Sequence, residues 1–216
     1  MARTAGSRNR DYEQKRGLIL VALQKRLREA DAARLSLNEM ADAADVSVSS
    51  LRHHLGTRSE ILAAVMAEQG KLGAPYLARV RAEPEQPLDV SVRQTMRAML
   101  QGLNFGLGEL LANGLSMSLR DPVAGPSFLE HFLEPMLSSL EVRLAAHARR
   151  GEMIDTDYRV AALGLVAPLV LASLHQTALC GHSVRPLSLP ALVEEQVNVF
   201  LRAYATPRNP PLTPPE

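Results

Sequence analysis

The segment from Ser36 to Ile61, SLNEMADAADVSVSSLRHHLGTRSEI, constrains the fold more than any other stretch of this chain. Ser36 stands three positions before Glu39. Its hydroxyl can cap the open N–H groups of a new helix, and the carboxylate can return the bond. The helix so started is short, over 37–44. A tight turn at Asp45-Val46 separates it from a second short helix over 48–54. Asp tolerates the left-handed backbone that such a turn needs better than most residues do. Met40, Ala41 and Ala44 can pack against Val48, Leu51 and Leu55. The latter three fall at i, i+3 and i+7 and so share one helical face. Ser49, Arg52 and His53 share the opposite face.

The rest of the chain agrees with helices. Ala, Leu, Met, Glu and Arg are plentiful and aromatics make up only 4% of 216 residues, with no Trp. Helix formers dominate, which argues against an all-β fold. A helix over 11–30 carries Leu18, Ile19, Ala22, Leu23 and Leu27 at helical spacing, and a third short-range signal starts a helix over 58–80. Pro84 and Pro87 mark a linker. Further helices are expected over 89–108, 109–119, 127–150, 157–179 and 191–204. Pro135 should kink or break the run over 127–150, and Gly151 should close it. Residues 1–9 read as a basic arm, with Arg3, Arg8 and Arg10 and no acid. Residues 207–216 hold five prolines and read as an extended tail. The expected architecture is all-α. It comprises an N-terminal three-helix unit over 1–57, a C-terminal helical unit over 58–206, and the Pro-rich tail over 207–216.

Two short helices joined by a tight turn, the second with an apolar inner face and a polar outer one, form a helix-turn-helix arrangement. The first helix braces and the second offers its N-terminal half to the major groove. Charge agrees with that placement. Residues 1–60 hold 11 Lys+Arg against 8 Asp+Glu, although the whole chain nets only +1. Ser47, Ser49 and Ser50 can donate to phosphates or base edges at the helix start. Each can alternatively serve only as a cap, and His54 can alternatively pack beneath the helix.

These residues resemble the tetracycline-repressor (TetR) family of bacterial transcription regulators. The resemblance runs through Ser36-Leu37, Met40-Ala41, Ala44-Asp45-Val46-Ser47, Arg52-His53-His54-Leu55 and Arg58, about 50 residues of the chain. Asp45 stands where the family usually has Gly, Arg52 where it has Tyr, Leu55 where it has Phe and Arg58 where it has Lys. The resemblance implies DNA contacts by Ser36, Ser47, Val48, Ser49, Ser50, Arg52, His53, His54 and Arg58. It also implies a two-fold homodimer on a pseudo-palindromic, double-stranded operator, held through the helices at 157–179 and 191–204, which are rich in apolar residues. Repression, released by a small lipophilic effector, is the expected mode of action.

A cavity for that effector would lie in the C-terminal unit. Met96, Met99, Phe105, Met117, Phe128, Phe132 and Leu171 are expected in its apolar wall, with Asn104, His131 and His175 as polar anchors. Any one of them can instead be ordinary core. No cofactor, metal site or catalytic residue is expected. A helical di-iron site needs Glu-x-x-His on two helices, and the chain has none. Glu130, His131 and Glu134 lack a second matching set. Nucleophile-elbow, zinc-protease and phosphate-loop patterns are missing as well. The chain should therefore not be an enzyme. The single cysteine, Cys180, excludes an internal disulfide and fits a cytoplasmic setting. The most apolar run, residues 160–174, is short for a membrane span and interrupted by Pro168, so no membrane partner is expected. The competing reading is a helical ligand-binding or protein-interaction module with weak or vestigial DNA binding.

Overall fold

The computed structural model describes residues 5–207, and they are almost wholly helical. Eleven α-helices are found among the described residues: α1 Ala5–Arg26, α2 Leu37–Ala43, α3 Val48–Leu55, α4 Arg58–Arg81, α5 Leu88–Gly102, α6 Gly108–Ser118, α7 Ala124–Phe128, α8 Glu134–Arg149, α9 Tyr158–Gln176, α10 Gly181–Val184 and α11 Leu189–Tyr204. One isolated bridge joins Met153 to Ala205. The all-α expectation holds.

Local chemistry explains the boundaries in the N-terminal unit. Ser36 and Glu39 form the reciprocal capping box, with Ser36 N–H donating to Glu39 Oε2 at 2.7 Å and Glu39 N–H to Ser36 Oγ at 3.3 Å. Helix α2 ends in a Schellman motif. Val46 N–H donates to Ala41 O at 3.0 Å and Asp45 N–H to Asp42 O at 3.1 Å, while Asp45 takes the left-handed φ of 51°. Ser47 then caps α3 by accepting from Ser50 N–H at 3.1 Å. A second capping box, Thr57 with Glu60, starts α4.

Three expectations need correction. Helix α1 starts at Ala5 rather than at residue 11, so the backbone of 5–9 belongs to the helix and only 1–4 of the expected arm lies outside the described residues. It stops at Arg26, and a 3₁₀ turn at Ala32–Arg34 leads to α2. The helix expected over 89–108 breaks at Phe105-Gly106, where Gly106 adopts φ 94°. A side chain at that backbone angle would be strained, which is why the break falls on a glycine. The helix expected to reach residue 179 ends at Gln176. The buried amide of Gln176 is used instead to fold the next loop, donating to Arg185 O at 3.2 Å and accepting from Leu187 N–H at 3.0 Å. The short α10 follows from that loop. Residues 208–216 of the expected tail lie outside the described residues.

Pro135 is preceded by a π-helical turn over Leu129–Leu133, where Glu134 N–H donates to Leu129 O. A proline at this point has no N–H to give and crowds the preceding turn, and the wider turn absorbs both effects.

Two apolar cores organise the molecule. The first joins α1, α2, α3 and the start of α4 to α6 and α7, through residues such as Leu23, Met40, Leu51, Ile61, Leu110 and Phe128. The second joins α5, α8, α9 and α11, through Met96, Leu144, Leu165, Val197 and Phe200. Helix α9 is long and apolar enough to cross a membrane by length and composition alone. Ala161, Ala162, Leu165, Val166 and Leu169 instead seat one side of it in the second core.

Candidate nucleic-acid interface and effector cavity

Helix α3 is anchored from below. Leu51 and Leu55 are buried in the first core, and Val48 packs partly against it. Four residues between and beside these anchors therefore face outward: Ser47, Ser49, Arg52 and His53 are exposed. Ser47 Oγ and Ser49 Oγ lie 2.9 Å apart at the start of the helix. Ser50 is half-buried and supplies the capped N–H. Ser36 is exposed at the N-terminus of α2, with its hydroxyl held by Glu39.

His54 and Arg58 sit differently. The His54 ring packs at 4.6 Å from the ring of Tyr12 on α1, and its Nδ1 is buried without a partner. Burial pushes its imidazole below the ordinary value, and the charges of His53, Lys15 and Arg16 push it further the same way. The guanidinium of Arg58 turns back to donate to Leu35 O, at 3.4 Å from Nε and 3.3 Å from Nη2. Lys15 and Arg16 of α1 stand near enough to His54 for their charges to act on it. Their nearness to α3 depends on how the two helices pack.

A cavity of about 420 Å³ opens in the helical body. Gln69, Tyr76 and Leu77 of α4, Met99 of α5, Leu103 and Leu107 at the break, and Phe132 and Met136 of the α7–α8 segment line it, with Arg28 at one edge. Its shape follows from two local irregularities. The Phe105-Gly106 break separates α5 from α6 along one wall. The π turn brings the His131 carbonyl so close to α4 that a Cβ on Gly70 would lie 2.9 Å from it. Inside, the hydroxyl of Tyr76 is buried with no hydrogen-bond partner. Burial raises its pKa, which keeps it a neutral donor.

Of the ten expected wall residues, Met99, His131 and Phe132 line this cavity. Phe128 lies directly behind the wall, stacked on Phe132 at 5.2 Å, in the first core. Met96 belongs to the second core and Met117 to the first. The structure places four others elsewhere. Asn104 and Phe105 are exposed at the break, Phe105 at 83%. Leu171 is 67% exposed on the outer side of α9. His175 sits at the end of α9, with Nδ1 against the Gln176 amide at 2.7 Å. Arg28, Gln69 and Tyr76 are the polar residues that sequence reasoning missed.

One side chain of α6 bonds to the head, and one of α4 bonds to the segment after α6. Asn113 Nδ2 on α6 donates to Leu27 O and Glu29 O, at 3.0 and 2.8 Å. Ser59 Oγ on α4 donates to Asp121 at 2.5 Å, and the same carboxylate accepts from Val123 and Ala124 N–H. Those bonds hold the Asp121 carboxyl below its ordinary range.

Residues 108–206 match the family model described as the AefR-like transcriptional repressor C-terminal domain. No curated protein matches the chain. Several solved structures share its fold. A Mesorhizobium loti protein assigned to the TetR family of transcriptional regulators superposes with a TM-score of 0.73 at 18% identity, covering 90% of this chain and 98% of its own. SmeT, the repressor of the multidrug efflux pump SmeDEF of Stenotrophomonas maltophilia, gives 0.62 at 20% identity, covering 93% of this chain and 96% of its own. Its complex with triclosan gives 0.63 at 22% identity, covering 94% and 98%.

Proposed function

We propose that this chain is a TetR-family transcriptional regulator, a cytoplasmic repressor that binds a pseudo-palindromic operator as a homodimer. The single observation that carries this reading is the outer face of α3. Ser49, Arg52 and His53 are exposed there while Leu51 and Leu55 fix the helix from within. A helix held this way presents a rigid row of donors to a major groove, with the N-terminal end of α3 turned to phosphate. Residues 1–57 act as the DNA-reading head and 58–206 as the effector-binding and dimerisation unit.

Within that head, Ser47, Ser49, Arg52 and His53 supply the contacts, and Val48 can meet a thymine methyl. Ser36 and Ser50 stand at helix starts, where backbone N–H groups favour phosphate. His54 acts chiefly through Tyr12, by positioning α3 on α1. Arg58 reaches phosphate only by releasing Leu35. Lys15 and Arg16 extend the positive edge beside α3.

The second copy would cover the outer side of α9 and α11. Val160, Leu163, Leu171 and Val199 are exposed there, with Gly164 and Ala167 between them. An exposed apolar stripe interrupted by small residues suits close helix packing across a two-fold axis. Such a dimer would set two α3 helices into successive major grooves, about 34–36 Å apart.

The effector would be a small lipophilic molecule in the cavity beside Met99, His131 and Phe132. SmeT, which shares the fold, is known with triclosan bound, and that supports a compact apolar guest. Occupancy would alter the spacing of the two heads and so release DNA.

Selection of genomic fragments by the purified protein, followed by gel-shift titration, tests the reading. Sequence-selective retardation that weakens steeply with salt is expected. Uniform weak binding, or none, would favour a ligand-binding module without operator function.

A further inference from the structure

The wall of the cavity is lopsided in charge. Neither Asp nor Glu lines it, and its one permanently charged side chain is Arg28. That residue comes from the head, just past the end of α1. Its Nη2 donates to Gln69 Oε1 at 3.1 Å, a neutral acceptor. Among the described residues, no ion pair to Arg28 is formed. Its stem lies along the Phe105-Gly106 helix break, where a Cβ on Gly106 would meet Arg28 Cδ at 3.5 Å. On the outer side of Tyr76, the guanidinium of the exposed Arg79 stands 6.0 Å from the ring centre. Tyr76 Oη is buried and unpartnered, and it feels the positive charges of both Arg79 and Arg143. Cations thus flank the cavity at its Arg28 edge and behind Tyr76, and the lining between them is chiefly apolar.

This pattern discriminates among guests. A cationic guest would be repelled at both positions. A neutral one would leave the Arg28 charge matched only by an amide. An acidic group can accept two N–H bonds from a guanidinium at once, and charge-assisted bonds of that kind are about twice as strong as neutral ones. We propose that the cavity binds an amphiphilic organic anion, a lipophilic body with one acidic end group, and that Arg28 reads the acidic end by exchanging Gln69 for it. The proposal rests on the reading of this cavity as the effector site. It also gives the guest a direct hold on the head, because Asn113 binds the carbonyls of the two residues that flank Arg28, Leu27 and Glu29.

Calorimetric titration of the full chain with decanoate, 1-decanol and decylammonium, each below its micellar concentration, tests it. The three probes share one apolar body and differ in charge. Decanoate should bind at least tenfold more tightly than either of the others. Arg28→Met should remove that preference while leaving the decanol affinity unchanged, and Arg28→Lys should keep a reduced preference. Circular dichroism of the variants would establish that they fold. Equal binding of the three probes, tighter binding of decylammonium, no binding of decanoate, or an anion preference that survives in a folded Arg28→Met would overturn the proposal. Gel shifts run in parallel separate the two readings. Arg28-dependent decanoate binding without release of DNA would uphold the anion site and refute its role as effector site. Release by decanol with no preference for decanoate would do the reverse.

Discussion

Asn113, buried on α6, donates its amide N–H to the carbonyl of Leu27 at 3.0 Å, so the helical body holds the end of the first helix of the head. The same Nδ2 reaches Glu29 O at 2.8 Å. Leu27 O lies past the last intrahelical bond of α1, whereas Glu29 O also accepts from Ala32 N–H at 3.1 Å. Replacing Asn113 by Leu, which is close in volume, would remove this donor from the buried Leu27 carbonyl. A loss of about 1–3 kcal/mol in urea unfolding is expected. The variant should also respond less to effector, since α6 would no longer grip the segment around Arg28. Unchanged stability would mean that water replaces the amide at no cost.

The head was legible from sequence because its signals are local. The Ser36/Glu39 box, the Asp45 turn and the spacing of Val48, Leu51 and Leu55 each fix geometry within a few residues. Thr57 and Glu60 carry the same kind of signal, and α4 starts at residue 58 as expected. The cavity was less legible, because apolar identity does not distinguish a wall from a core. Met96 and Met99 are one turn apart on α5, yet Met96 is wholly buried in the second core and Met99 faces the cavity. Phe105 was expected inside because the helix was expected to continue. The positive φ of Gly106 turns it outward. Arg28 escaped notice because its place in the cavity depends on contact with Gln69, 41 residues away.

Asp45 provides a backbone test. Its φ of 51° closes the turn between α2 and α3, and a β-branched residue resists that conformation. Asp45→Val should cost about 1–2 kcal/mol and weaken DNA binding, as the turn sets the angle of α3. Asp45→Gly should stay within about 0.5 kcal/mol of the natural protein, because glycine adopts the angle freely but orders more chain. Thermal unfolding of both variants gives the comparison. Equal stability of the two would show that the turn is not what fixes this region.

His147 makes stability depend on pH. It is fully buried in the C-terminal unit, with Nδ1 against Glu152 Oε2 at 2.7 Å and Nε2 without a partner. Burial, the largest influence, lowers its pKa from the ordinary 6.5, and Glu152 offsets only part of that. The unfolded chain therefore binds the proton more readily than the folded one. The stability it contributes is complete above pH 6.5 and is lost as pH falls toward the lower folded value. Denaturation midpoints measured between pH 7.5 and pH 5 should fall, and His147→Leu should flatten most of that slope. The residual slope would come from His54, whose pKa is lowered too. A slope unaltered in His147→Leu would assign the effect elsewhere.

The outer side of α9 tests the proposed dimer. Leu163 is 51% exposed and lies between Val160 and Ala167 on the unpartnered stripe. Leu163→Asp should leave the helix content unchanged, because the side chain has no core contact to lose. It should convert the protein to a monomer in sedimentation and cost at least tenfold in operator affinity. A variant that remains dimeric would move the interface away from α9.

Arg52 bears most directly on the central claim, that α3 lies along a duplex in two symmetric copies. Affinity for a selected operator fragment should be measured against salt for the natural protein and for Arg52→Ala, with stoichiometry read in the same samples by sedimentation. Two protomers per fragment are expected, and two copies of one phosphate contact should each flatten the logarithmic salt slope by about one unit in Arg52→Ala. A single protomer on the duplex, or a slope that the substitution leaves untouched, would contradict it.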